Sequence, residues 1–183
     1  LKHQRYYNLM QYFYGSASRK GYPPIPLQGL WTADEGGLPP WKGDFHNDMN
    51  VQMTYWAYYT SGHFDCGESL TDFLFSLAPA HRKFARDFFG VEGLMVPGVM
   101  GLQGQSLTGW VQYSLSPTMS VWLLQNLHWH WRYTMDKTFL KEKCYFYCME
   151  MASAMEALLK EDENGKLKLP LSSSPEIHNN SLQ

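Results

Sequence analysis

Six polar or ionisable side chains, Asp44, His46, Asn47, Asp48, Asn50 and Gln52, fall within the single stretch from Trp41 to Trp56. Their neighbours are Phe45, Met49, Val51, Met53 and Tyr55, so the segment is apolar enough to be buried. Burying a polar group costs free energy unless it is paired. Such a cluster is therefore either a structural hydrogen-bond network or a wall built for a polar ligand. Imidazole and carboxamide groups set among tryptophans suit hydroxyl-rich ligands, because hydroxyls both donate and accept. On residue type His46, Asn47 and Asn50 fit a sugar-binding wall. They fit equally well a network tying the preceding loop to the following helix.

Two carboxylates stand in the least charged surroundings, Asp48 and Glu176. Glu176 follows a serine run and Pro175, and His178, Asn179 and Asn180 come after it. Cleaving a glycosidic bond needs one acid to protonate the leaving oxygen and a group on the opposite face to activate water or attack the sugar. A carboxyl held by short hydrogen bonds in a Ser-rich loop could be such an acid; the plainer alternative is a cap for a following helix. His128 and His130 point to different faces of one helical pattern, and His130, with Tyr133 nearby, reads as a satisfied core histidine. Neither a Walker loop nor HExxH nor GxSxG occurs, and Ser172 to Ser174 have no base at motif spacing. No metal or cofactor is implied.

Lys plus Arg number 15 against 17 Asp plus Glu in 183 residues. That near balance leaves no electrostatic footprint for nucleic acid or an anionic membrane. No run of about 20 apolar residues exists to span a membrane. Cys144 and Cys148 share a helix face without metal-ligand spacing, and all three cysteines read as small buried apolar residues. The aromatic share is 16%, enough for a helical core or for aromatic faces against pyranose rings.

The elements that would carry these groups are helical. Residues 2–19 show apolar positions at three- and four-residue steps and stop at Gly21. Residues 20–45 are rich in Pro and Gly and form a loop, whose Leu27, Leu30, Trp31 and Trp41 suggest that it packs down. Helices are expected at 48–60, ended by Gly62, and at 66–89, bent or split by Pro79 and ended by Gly90. A second Gly-rich loop covers 90–116. Ser116 and Pro117 are read as cap and first turn of a helix over 117–134. Asp136 is read as the cap of a fifth helix reaching about 160, and 161–165 as a solvated turn. Helix pairs alternating with long loops that carry the polar–aromatic residues point to a loop-built site on a helical scaffold. No repeat of solenoid length occurs.

Four motifs, in order, resemble glycoside hydrolase family 95: Leu27-Gln-Gly-Leu-Trp31; Pro39-Pro-Trp41; the run from Asp44 to Trp56; and Ser173-Ser-Pro-Glu176. The segment from Thr108 to Leu140, with Trp110 and His130, is also similar. The family holds inverting α-L-fucosidases and some α-L-galactosidases. The resemblance implies an all-α fold, a partial (α/α)6 toroid of helical hairpins. Residues 1–183 would then be a single partial catalytic domain whose remainder is its partner. The ends at Leu1 and Gln183 read as cut, and the isolated chain is expected to be inactive. By the same resemblance Glu176 is the general acid. Asn50 is the second of two catalytic asparagines, and the first falls on Asp48, which departs from the family pattern. His46 and Trp110 would contact sugar, with Asn47 and Trp41 beside them. A further catalytic aspartate would lie beyond this chain. Inversion implies carboxyl groups roughly 6.5–9.5 Å apart. A glycan is the implied substrate and export to the periplasm or medium the implied location. A phosphorylase or glycosidase of another toroid family, and a carbohydrate-binding piece without turnover, are the rival readings.

Overall fold

The computed structural model describes residues 1–30, 37, 41–107, 109, 111–169, 172–174 and 178–179. It is mostly helical with no closed sheet, as expected of part of an α/α toroid. Helix α1 is Lys2–Ala17, followed after the first loop by strand β1, Phe45–His46. The predicted helix over 48–60 is interrupted. It forms α2, Met49–Thr54, and α3, Ala57–Ser61, with the break at Tyr55 and Trp56. The reason is Tyr55, whose hydroxyl lies inside the molecule. It accepts from the Ile25 N–H at 2.8 Å and bonds the Ser18 and Ser69 hydroxyls at 2.9 and 3.1 Å. Those bonds tie the first loop to the helices, and burial pushes the phenol above its usual range. Gly62 ends α3 in the left-handed conformation at φ 74°, which costs glycine no Cβ strain.

The next expected helix is split as its proline requires. Helix α4 spans Phe64–Ser76 and α5 spans Ala78–Phe84, with Pro79 in the first turn of α5. There its missing N–H has no partner to lose. A π-helical turn, Ala85–Phe89, continues to Gly90 at φ 70°. Strand β2, Val99–Met100, pairs antiparallel with β1, placing Phe45 opposite Met100 and His46 opposite Val99. Helix α6 is Val111–Ser114 and α7 is Thr118–Thr134. The expected capping role of Ser116 is not realised. Pro117 occupies the cap position and no side-chain cap bond forms; Ser116 contributes only its carbonyl, to the Met119 N–H at 3.1 Å.

Asp136 does cap. Its Oδ1 accepts from the Thr138 and Phe139 N–H groups at 2.8 and 3.1 Å, starting α8, Lys137–Phe139. Such a cap contributes about 1 kcal/mol. A π-helical turn, Leu140–Cys144, leads into α9, Tyr145–Leu158. Short strands β3, Lys160–Glu161, and β4, Leu167–Lys168, flank the solvated turn, and β5, Ser173–Ser174, pairs with β6, His178–Asn179.

The core lies where α3, α4, α7 and α9 meet, around Tyr58, Leu70, Leu74, Leu123, Leu127 and Met151. Truncating one such leucine to Ala costs about 2–5 kcal/mol. His130 is buried as expected, but it bonds the Tyr58 hydroxyl at 2.9 Å rather than Tyr133. Burial lowers its pKa. Cys66 and Cys144 are buried and Cys148 half-buried; Cys144 and Cys148 sit with sulfurs 3.7 Å apart as free thiols. The first loop is partly packed, with Pro24 buried but Leu30 and Trp41 exposed. Helix α1 buries only Ala17 and leaves Tyr6, Leu9, Met10 and Phe13 of its predicted apolar face exposed.

Candidate active site

The polar stretch at 44–52 begins on β1 and ends in α2, and the two-residue ladder to β2 fixes where it starts. Asp44 and His46 are 3% and 5% exposed, with Oδ1 and Nδ1 2.9 Å apart. Burial raises the Asp44 carboxyl pKa, and the adjacent imidazole partly opposes that rise. A hydrogen bond between Asp44 and Nδ1 fixes the imidazole's orientation and tautomer. The His46 ring also meets Tyr113 of α6 edge-on, centroids 5.7 Å apart.

Asn47 is fully buried. Its N–H donates to the Gly98 carbonyl at 2.8 Å and its Nδ2 to the Pro97 carbonyl at 2.8 Å, pinning β1 to the second Gly-rich loop. Gly98 is needed by sterics. A Cβ there would lie 2.3 Å from the Tyr113 carbonyl oxygen, so only hydrogen lets the loop reach α6. Asp48 is half-buried at the start of α2, where its carbonyl accepts from the Gln52 N–H at 3.2 Å. Asn50 is exposed on α2, and Trp41 is 42% exposed. Within the stretch Asp44 to Asn47 and Gln52 are buried, Asp48 is half-buried with its Oδ1 turned away from solvent, and Asn50 is exposed.

Ser173, at the start of the last motif, is tied to the segment that carries Tyr113. The Ser173 N–H donates to the Leu115 carbonyl at 2.8 Å, and its hydroxyl to the Gln112 carbonyl. Strand β5 therefore rests on α6, the helix whose Tyr113 touches His46. Glu176 and Trp110 lie outside the described residues. An apolar cleft of about 330 Å³, lined by Ala17, Tyr22, Pro24 and Leu102 among others, shares only Gly43 and Phe45 with the site segment. Among the described residues no group of three or more His, Cys, Asp or Glu side chains could hold a metal ion.

Reasoning from sequence missed the residues that hold the stretch from other elements: Tyr113, Gly98 and Asn126. Only Gly98 carried a signal, as one glycine of a loop marked as Gly-rich.

The helical scaffold and its long loops fit part of a carbohydrate-active domain of the α/α kind, and a family match gives the class. The chain belongs to glycosyl hydrolase family 95: residues 3–182 match the family's catalytic-domain model. It is 33% identical over 168 residues to "Alpha-L-fucosidase 2" of Arabidopsis thaliana, covering 91% of this chain and 20% of that protein. To "Probable alpha-fucosidase A" of Aspergillus niger it is 29% identical over 175 residues, covering 91% and 21%. The chain spans about a fifth of the length of these curated relatives.

Proposed function

We propose that the protein carrying this segment is an inverting exo-glycosidase that removes terminal α-L-fucosyl, or related α-L-galactosyl, residues from glycans. Residues 1–183 contribute part of one catalytic domain, and the rest of that domain completes the cleft. Glu176 protonates the leaving oxygen. Asn50 and Asp48 orient the attacking water. His46, held by Asp44, contacts the sugar, while Trp41 and Trp110 supply apolar faces for the ring and Asn47 holds the wall from behind.

The observation that carries this reading is the convergence on α6. Its Tyr113 meets His46, and its Gln112 carbonyl takes the Ser173 hydroxyl three residues before Glu176. Together with family membership, this supports a site made from both ends of the chain. An amide or carboxylate that positions water on one face and an acid on the other is the inverting arrangement.

The test uses the full-length protein on nitrophenyl α-L-fucoside and α-L-galactoside, with the first-formed anomer followed by NMR. The β-anomer appearing first supports inversion; the α-anomer first would contradict it. No cleavage of either substrate would remove the fucosidase reading.

A further inference from the structure

Asn126 lies outside the four motifs, within the similar segment from Thr108 to Leu140; it is fully buried on α7 and its Nδ2 donates to Gln52 Oε1. Gln52, equally buried, donates Nε2 to the Asn47 carbonyl at 3.2 Å. At the far end the Tyr59 hydroxyl donates to the Asn126 carbonyl at 2.9 Å and lies 3.2 Å from Oδ1.

The direction of this chain is forced. The Asn47 carbonyl can only accept, so Gln52 must turn its nitrogen toward it and its oxygen toward Asn126. Asn126 must then present its own nitrogen, which leaves Oδ1 for the Tyr59 hydroxyl. Gln52 also uses its backbone N–H, on the Asp48 carbonyl at 3.2 Å. One residue therefore grips the two successive carbonyls of Asn47 and Asp48, and α7 grips that residue. Apolar side chains of the same volume could fill a dry core with no polar group to satisfy. What the amides add is a fixed placement of the peptide from which Asp48 and Asn50 depart.

We propose that Gln52 and Asn126 are positioning residues: they act through the backbone of Asn47 and Asp48 to hold Asp48 and Asn50 in their working geometry. This rests on the site reading above. A displacement of about 1 Å in a catalytic group can cost a hundredfold in rate. The expected signature is therefore in kcat.

In the full-length protein Asn126→Leu should lower kcat about tenfold to a hundredfold, and Gln52→Glu should do so at the alkaline end of the pH range, where even a buried carboxyl is ionised, with KM changed less than about threefold. Gln52→Glu also provides an internal rescue. Its carboxylate still accepts from Asn126 but has no proton for the Asn47 carbonyl; once protonated it can donate again. The ratio of variant to wild-type kcat should therefore rise as pH falls. Asp44, His46, Asp48, Tyr59, His128 and His130 are the same in both proteins, so the ratio isolates position 52. A ratio that stays flat up to a pH of about 9.5, above the range of buried carboxyls, overturns the proposal even if Asn126→Leu fails to fold. Asn50→Ala is run alongside. If it keeps full activity the site reading fails, whereas an inactive Asn50→Ala beside a Gln52→Glu still active at that alkaline pH refutes the positioning role alone.

Discussion

The Ser173 backbone N–H donates to the Leu115 carbonyl at 2.8 Å, joining the last motif to the helical turn that bears Tyr113. Its hydroxyl adds a second bond, to Gln112. Ser173→Ala keeps the first and removes the second, leaving a part-buried carbonyl without that donor. A lost hydrogen bond of this kind costs about 1 kcal/mol. Calorimetry of the full-length protein should show a lower unfolding midpoint, and kcat should fall with it because Glu176 follows three residues later. An unchanged midpoint would mean that this bond contributes nothing to holding the segment.

Much of the scaffold was legible because its signals are local. Apolar spacing marked α1, Pro117 marked where α7 begins, Pro79 marked the division between α4 and α5, and Asp136 marked its cap. Gly62 and Gly90 marked helix ends. The break at Tyr55 was not legible, since its cause is a buried hydroxyl meeting Ser18, Ile25 and Ser69 from distant positions. Ser116 looked like a cap, but Pro117 took that position. The pairing of β1 with β2 is two residues long, too short for an alternating pattern. Within the site, the residue types at 44–52 marked the stretch as either a buried network or a wall for a polar ligand. Which of them are buried anchors and which are accessible depends on Pro97, Gly98 and Asn126, and no spacing rule links those to the stretch.

Gly98→Ala tests the closest approach in the site. The added methyl would sit 2.3 Å from the Tyr113 carbonyl oxygen, against backbone that has no rotamer to change. Overpacking of this kind costs about 1–3 kcal/mol. The loop must move, taking the Asn47 bonds to Pro97 and Gly98 with it. Denaturant unfolding should report the loss, and kcat should drop more than the fraction folded explains. Full activity and stability would show that α6 can be displaced freely.

Acid sensitivity should trace to His81. This side chain is fully buried, with Nδ1 3.1 Å from the Tyr147 hydroxyl, and burial lowers its pKa from 6.5 to about 3. A lowered histidine pKa means the unfolded chain binds the proton first. The neutral ring's contribution to stability is thus complete above about 6.5 and is lost as pH falls toward about 3. At most about 1.4 kcal/mol is lost per pH unit across that window, or roughly 4–5 kcal/mol in all. Unfolding measured between pH 7 and 3.5 should show a shallower decline in His81→Gln than in wild type. Parallel curves would contradict the assignment. His130, lowered in the same direction, is left in place in both proteins.

In the proposed mechanism Glu176 acts as general acid opposite Asp48 and Asn50, and every other role depends on it. That role is tested most directly by the rate of full-length Glu176→Gln on two substrates, a fucosyl disaccharide and nitrophenyl α-L-fucoside. A sugar leaving group needs its oxygen protonated, whereas nitrophenolate departs with little help. General acid catalysis is worth about 10²–10⁴ in rate. A fall of that size on the disaccharide, with a much smaller fall on the nitrophenyl substrate, is the expected result. Unchanged turnover of the disaccharide, or equal losses on both substrates, would contradict it.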